Sequence, residues 1–279
     1  MVPATDHMNR RLTRMDYEDL LLEKDDCGIA TLTLNTPSKL NALTVKMGTN
    51  LPVAVDEVAR DDSVRVLIVT GAGRGFCSGA DVSAMEAFTG AAEQSRFNRL
   101  QVTGWPAVDI FPKLLKPTIA AVNGPCVGAG LSLALSCDIR IASETARFGV
   151  AQVARALVPD FGLTYYLPLA VGMSNALELM YTAELIDAAE ALRIGLVSRV
   201  VPPDELMKTT RELANKIAQQ APLSVELTKK MVWRGLFDRL ARQLDLETDS
   251  IRICRQSADH RENVKAFLEK RPSPKYKGK

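Results

Sequence analysis

The sequence predicts an α/β fold with mostly parallel strand pairing, and three observations carry that prediction. Short, almost wholly apolar runs such as residues 64–70 (VRVLIVT) and 118–122 (TIAAV) have the pattern of strands covered on both faces. Segments with helical apolar spacing alternate with them. After Pro202-Pro203 the β pattern stops and only helical faces remain. Strands alternating with helices argue for parallel pairing with helices as crossovers.

In chain order, residues 17–24 and 29–35 read as two strands around a turn at 25–28; β-branched residues alternate in the second. Thr44 can cap a helix in which Met47, Leu51, Val55 and Val58 share a face, and Pro52 inside it predicts a kink or a later start. The strand at 64–70 runs into a glycine-rich turn at 71–81. The strand at 118–122 runs into a second such turn at 123–130, which feeds a helix over 131–137. Residues 138–143 and 196–201 read as further strands, with a helix starting at 176 between them. Beyond 203, Leu206, Thr210, Leu213 and Ile217 form one helical face, Leu240, Leu244, Ile251 and Cys254 another, and a short helix covers 264–268. The expected organisation is a flexible tail over 1–15, an α/β core over 16–202 and a helical region over 203–279.

Composition narrows the function classes. Thirty-five Lys and Arg against 33 Asp and Glu leave +2, too little for a nucleic-acid surface. Five cysteines (Cys27, Cys77, Cys126, Cys137 and Cys254) are odd in number and form no C-x-x-C pair, so reduced thiols in a cytoplasm are expected, without a disulfide framework or metal site. Two histidines, His7 and His260, leave little room for chemistry built on several imidazoles. The start of the chain lacks the apolar core of a secretory signal. The longest uncharged stretch, 117–137, is broken by Asn123, Gly124 and Pro125, so it reads as strand, turn and helix, and no membrane partner is expected.

The first glycine-rich turn, Gly71-Ala-Gly-Arg-Gly-Phe-Cys-Ser-Gly-Ala-Asp81, is no dinucleotide fingerprint, because Phe76 stands where the third glycine would be. It could be an ordinary strand-to-helix connection. The second turn suggests more, since two such turns can aim free backbone N–H groups at one anionic atom, an oxyanion hole. A serine hydrolase is the rival: Gly130-Leu-Ser132-Leu-Ala lacks the last glycine of a nucleophile elbow, and neither histidine suits as its base. Most carboxylates, Asp238, Asp245, Glu247 and Asp249 among them, read as solvated faces. Asp160, in Leu157-Val-Pro-Asp-Phe-Gly162, is set among apolar neighbours, which suits a group that takes up and returns a proton; the alternative is a turn cap after proline.

The segments LTLNTPSKLNAL (32–43), VLIVTGAGRGFCSGADV (66–82), KPTIAAVNGPCVGAGLSLALSCDIRIAS (116–143), the ARFGVAQ and LVPDFG runs (146–162) and ALRIGLVSRVVP (191–202) follow one another as in the enoyl-CoA hydratase/isomerase (crotonase) superfamily. The C-terminal run from SADHREN resembles that family's ending, so the likeness covers about residues 16 to 279. It implies a spiral of ββα units with C-terminal helices that build a homotrimer or a dimer of trimers. It implies an acyl-CoA or enoyl-CoA thioester as substrate, with CoA part of that substrate and no other cofactor. By motif position the backbone amides of Ala80 and Ala129 would hold the thioester oxygen, although the second position is usually glycine in the family. Lys39, Ser78, Ala80, Asp81 and Val82 would lie along the CoA, and Phe267 and Lys270 resemble residues that reach a neighbouring subunit's CoA. Hydratases of the family carry two glutamates where this chain has Ser132 and Gln152. VPDFG resembles the PDxGG segment of isomerase-type members, including the epoxyphenylacetyl-CoA isomerases of phenylacetate breakdown, where the aspartate moves a proton between Cα and Cγ. The resemblance therefore implies an enoyl-CoA isomerase with Asp160 as shuttle. A non-catalytic acyl-CoA-binding relative and a weak hydratase remain alternatives. Phe97, Trp105, Phe111, Phe161, Tyr165 and Tyr166 could line an acyl pocket or belong to the core.

Overall fold

A computed structural model describes residues 13–81, 109–272 and 274. Strands β1 (Thr13–Tyr17), β2 (Leu20–Lys24) and β3 (Ile29–Leu34) form an antiparallel meander. The first strand thus takes in the last residues of the stretch expected to be tail. Helix α1 (Val45–Arg60) is capped by Thr44, whose hydroxyl accepts the Met47 amide, and it runs through Pro52. The later start that Pro52 offered is absent: the helix begins at Val45, and Met47, Leu51, Ala54, Val55 and Val58 are all buried. Packing of that face outweighs one missing main-chain hydrogen bond.

Next come β4 (Val66–Gly71), the short α2 (Ile110–Lys113), β5 (Thr118–Val122), β6 (Pro125–Val127), α3 (Ala129–Ser136), β7 (Ile139–Ser143) and β8 (Arg147–Gly149). Helices α4 (Leu163–Val171) and α5 (Met173–Thr182), strand β9 (Ile186–Asp187), α6 (Ala188–Arg193) and β10 (Arg199–Val201) complete the α/β part. Three helices follow, α7 (Leu206–Ala218), α8 (Pro222–Gln256) and α9 (Ala258–Leu268). Among the described residues no helix is long and apolar enough to cross a membrane.

The main sheet has the order β1-β2-β3-β4-β5-β7-β10, and every pair from β3 onward is parallel. Its two faces sort by residue parity. Leu67 and Val69 join a cluster with α1, α3 and α4, whereas Val66 and Ile68 join Ile29, Ile119 and Ile141 under Leu206 and Ala214 of α7. The apolar face predicted on α7 therefore packs on this chain's own sheet. A small second sheet, β6-β8-β9, went unread in the sequence because β6 lies inside the second glycine-rich turn. The last main strand is also shorter than expected. Leu196 and Val197 are buried, but their amides turn back to the carbonyl of Ala191 at the end of α6 rather than to a neighbouring strand.

The long helix α8 is pinned at several points. Trp233 Nε1 donates to Asp138 Oδ1 at 2.7 Å, Lys229 Nζ meets Asp138 Oδ2 at 2.9 Å, and the Tyr165 hydroxyl donates to the Leu236 carbonyl at 2.7 Å. Ser257 caps α9, accepting the His260 amide at 3.0 Å.

Candidate active site

Two turns come together at the C-terminal ends of β4 and β5. Asn41 and Asn123 shape the first: Asn41 Nδ2 donates to the carbonyls of Ala72 and Gly75, and Asn123 Nδ2 to those of Gly71, Gly73 and Gly75. The strand-like contact of Leu43 with Ala80 then fixes which way the chain faces. The Leu43 amide donates to the Gly79 carbonyl and the Asp81 amide to the Leu43 carbonyl, so the Ala80 N–H points to the opposite side. The second turn is tied to the first by Val127 N–H to the Cys77 carbonyl at 3.0 Å and by Cys77 N–H to the Pro125 carbonyl at 3.0 Å.

Each expected donor follows a glycine in the left-handed region. Gly79 has φ +101° before Ala80, and Gly128 has φ +56° before Ala129. Only glycine adopts such angles without steric cost. A methyl at Gly79 would stand 3.7 Å from the Ala129 nitrogen, which measures how closely the turns approach. Ala129 is the first residue of α3, where an amide has no intrahelical acceptor, and neither its N–H nor that of Ala80 has an acceptor among the described residues. The helix expected after the first turn lies beyond Asp81, outside the described residues.

Asp160 is one side chain away. Gln152 Nε2 donates to Asp160 Oδ1 at 3.0 Å, and the same amide group stands 3.7 Å from the point a Gly128 Cβ would occupy. Burial pushes the Asp160 carboxyl up to about 6, against the opposing pull of the Gln152 hydrogen bond and the Arg255 charge. Its loop is fastened on both sides. The Ser132 hydroxyl, buried on α3, donates to the carbonyl of Phe161, a residue at φ +56°. On the other side Gly162 N–H, Thr164 N–H and the Thr164 hydroxyl all donate to the Glu247 carboxylate.

That last contact corrects the reading of Glu247 as a solvated carboxylate: it is only 5% exposed. Its signal was present in the spacing, since Leu244, Glu247 and Ile251 share one helical stripe. Asn41 and Asn123 were likewise missed as the residues that shape the first turn. Asp245 and Asp249 are exposed, as expected. Ser132, hydrogen-bonded to a carbonyl and 2% exposed, does not face a base. His260 also departs from a charged surface setting. It is 2% exposed, Nδ1 lies 2.9 Å from the Arg155 carbonyl, and burial moves its pKa down.

Three of the residues expected along the CoA lie together. Lys39 Nζ meets Asp81 Oδ2 at 2.6 Å, and the Ser78 hydroxyl donates to the Lys39 carbonyl at 3.0 Å. Phe267 and Lys270 sit at the end of α9, where the Phe267 ring lies 5.5 Å from the Arg155 guanidinium carbon. No hydrogen bond or ion pair joins them to Lys39, Ser78 or Asp81 among the described residues. Val82, Phe97 and Trp105 fall outside the described residues. Phe111 and Tyr166 are core, 0% and 3% exposed, whereas Tyr165 lines an apolar cleft of about 550 Å³ beside Val158 and Pro159.

The sequence profile described as enoyl-CoA hydratase/isomerase matches residues 24–279. The chain belongs to this family. Within it, the chain is 40% identical over 95% of its length to the whole of the short-chain-enoyl-CoA hydratase of Clostridium acetobutylicum. It is 38% identical over 94% of its length to 99% of the 1,2-epoxyphenylacetyl-CoA isomerase of Escherichia coli. The solved enoyl-CoA hydratase of Mycobacterium avium subsp. paratuberculosis superposes with a TM-score of 0.81 at 31% identity, covering 94% of this chain and all of that one. The crotonase fold expected from the sequence is the fold of this family member, and acyl-CoA thioester chemistry is its class. Relatives named hydratase and isomerase stand at similar identity, so the site must be weighed for the reaction itself.

Proposed function

We propose that the protein is an enoyl-CoA isomerase with Asp160 as its proton shuttle. The observation that carries the reading is the Asp160 carboxylate joined through Gln152 to the second of the two turns, with Ser132 and Gln152 at the positions of the hydratase glutamates. Asp160 takes a proton from Cα of a 3-enoyl thioester, and the C–H electrons pass through the carbonyl to its oxygen, giving a dienolate. The amides of Ala80 and Ala129 stabilise that oxygen without solvent having to reorganise. Asp160 then returns the proton to Cγ, and the double bond ends between Cα and Cβ. A carboxyl near 6 can act in both directions close to neutral pH.

The names of several relatives favour a second reading, a hydratase. It would need a second acid or base for water. Glu247 is a poor candidate, because both of its oxygens already accept hydrogen bonds. Purified protein supplied with 3-enoyl- and 2-enoyl-CoA separates the cases. Isomerisation lost in Asp160→Asn supports the proposal, accumulation of 3-hydroxyacyl-CoA selects the hydratase, and binding without turnover or Cα deuterium exchange selects a non-catalytic relative.

The proposal includes CoA carried as part of the substrate with no other cofactor, contacts from Lys39, Ser78 and Asp81, and a cytoplasmic location suited to five free thiols. It also includes a trimer. Leu223, Leu227, Met231 and Val232 at the start of α8 are 43% to 69% exposed, an apolar stripe that a second copy would cover. Light scattering on the eluting protein measures that mass.

A further inference from the structure

The proton-carrying loop has a fastening that the proposed reaction does not use. Residues 160–164 pass from Pro159 into α4 through two consecutive left-handed residues, Phe161 and Gly162. The amide groups at that helix start have no intrahelical acceptor. Gly162 at the N-cap has no side chain to cap them. A carboxylate from α8, 85 residues further along the chain, does so instead: Glu247 accepts Gly162 N–H at 2.8 Å, Thr164 N–H at 3.2 Å and the Thr164 hydroxyl. The Leu163 amide returns to the Asp160 carbonyl at 3.1 Å, so the capped turn includes Asp160 itself.

We propose that Glu247 is a positioning residue for Asp160: from α8 it holds the turn that aims the Asp160 side chain. The proposal rests on Asp160 being the proton-carrying group. Two charged groups of α8 bear on this site: the Arg255 charge favours ionised Asp160, and Glu247 and Asp160 repel as like charges, Asp160 helping to push Glu247 up. From the other elements it meets the neutral Gln152 amide and the loop backbone. His260, beyond Arg255 on α9, is held uncharged near neutrality by burial. Glu247 is itself moved up by burial, offset in part by its three donors. The two carboxyl groups are therefore coupled, and removing the charge of one eases ionisation of the other.

Two variants separate the roles. Glu247→Ala removes the cap and the charge; kcat falls on the order of 10²-fold, the scale of a misplaced reacting group, while KM changes far less. Glu247→Gln keeps an oxygen for the backbone amides but removes the charge. It recovers most of kcat, and the Asp160 titration midpoint, read by carbon-13 NMR of labelled aspartate with Asp160→Asn for assignment, drops on the order of one pH unit. Thermal unfolding checks that each variant is folded. A wild-type midpoint in Glu247→Gln, or wild-type kcat in Glu247→Ala, overturns the proposal. The titration needs no turnover. A shifted midpoint in a protein that isomerises no thioester would leave Glu247's role intact and remove the reaction instead.

Discussion

Gln152 holds Asp160 with one end of its amide, Nε2 to Oδ1 at 3.0 Å, while the other end, Oε1, is buried with no hydrogen-bond partner among the described residues. An unpaired buried acceptor costs about 1–3 kcal/mol. The arrangement is kept because a donor on Asp160 and a carboxylate at the Gln152 position are incompatible: a glutamate there would supply no proton to Asp160 and would add a like charge. On the proposed reading, the side chain that donates to Asp160 thus stands where a hydratase would carry one of its two carboxylates.

Gln152→Glu tests this directly. Two carboxylates within hydrogen-bonding distance cannot both ionise freely, so the Asp160 pKa rises above about 6 by a further unit or more. The acidic limb of the pH profile of kcat/KM should move to higher pH by that amount, and activity at pH 6 should fall more than activity at pH 8.

Asp160→Asn should trade activity for stability. The folded-state pKa, about 6, is raised above the model value of 3.8, so folding favours the protonated form. The associated stability is fully present below pH 3.8 and is lost as pH rises through about 6. Above that the wild type carries the whole penalty. The neutral asparagine never ionises, so the variant should match the wild type near pH 4 and exceed it at pH 8. The gain is about 1–2 kcal/mol after discounting for the partial exposure of the side chain. Urea unfolding at the two pH values measures it, and isomerase turnover should drop by about 10²–10⁴.

The parts of this site that a sequence can show are those built from local pattern. The strands β4 and β5, the two glycine-rich turns and the apolar setting of Asp160 each follow from neighbours along the chain. What escaped depends on residues far apart in sequence. Glu247 is separated from Gly162 by 85 positions, and nothing in its local charge-rich surroundings says which loop it will meet. Strand β6 escaped for another reason: three residues that begin with a proline are too few to show alternation. Of the two outcomes read at Pro52, a later helix start fails because local propensity ignores the core that the face of α1 fills.

Lys39→Ala should act on binding alone. Its ammonium pairs with Asp81 at 2.6 Å and is half-exposed, and the proposal has it meet a CoA phosphate. An exposed pair of this kind is worth up to about 1 kcal/mol, a factor of about five in KM. Added salt should shrink the difference between variant and wild type. An N-acetylcysteamine thioester, which lacks phosphates, should be turned over equally by both. An equal loss on that short thioester would place Lys39 in the architecture of the turn rather than in CoA binding.

Ala129→Pro isolates one donor of the oxyanion hole. Position 129 opens α3, and proline is tolerated at a first helical position because its φ suits the helix and the amide there bonds nothing within it. The preceding residue is glycine, which relieves the usual restriction before proline. The substitution therefore removes the N–H and leaves the helix, with a stability change below about 1 kcal/mol. Loss of one such donor should lower kcat by about 10²–10³, with a smaller effect on thioester binding, because the oxygen bears its charge only in the transition state. Turnover of a 3-enoyl thioester beside a thermal melt of the same sample provides the measurement. Undiminished kcat in a folded variant would mean that the Ala129 amide holds no developing charge, and the Ala80 amide alone would have to account for it.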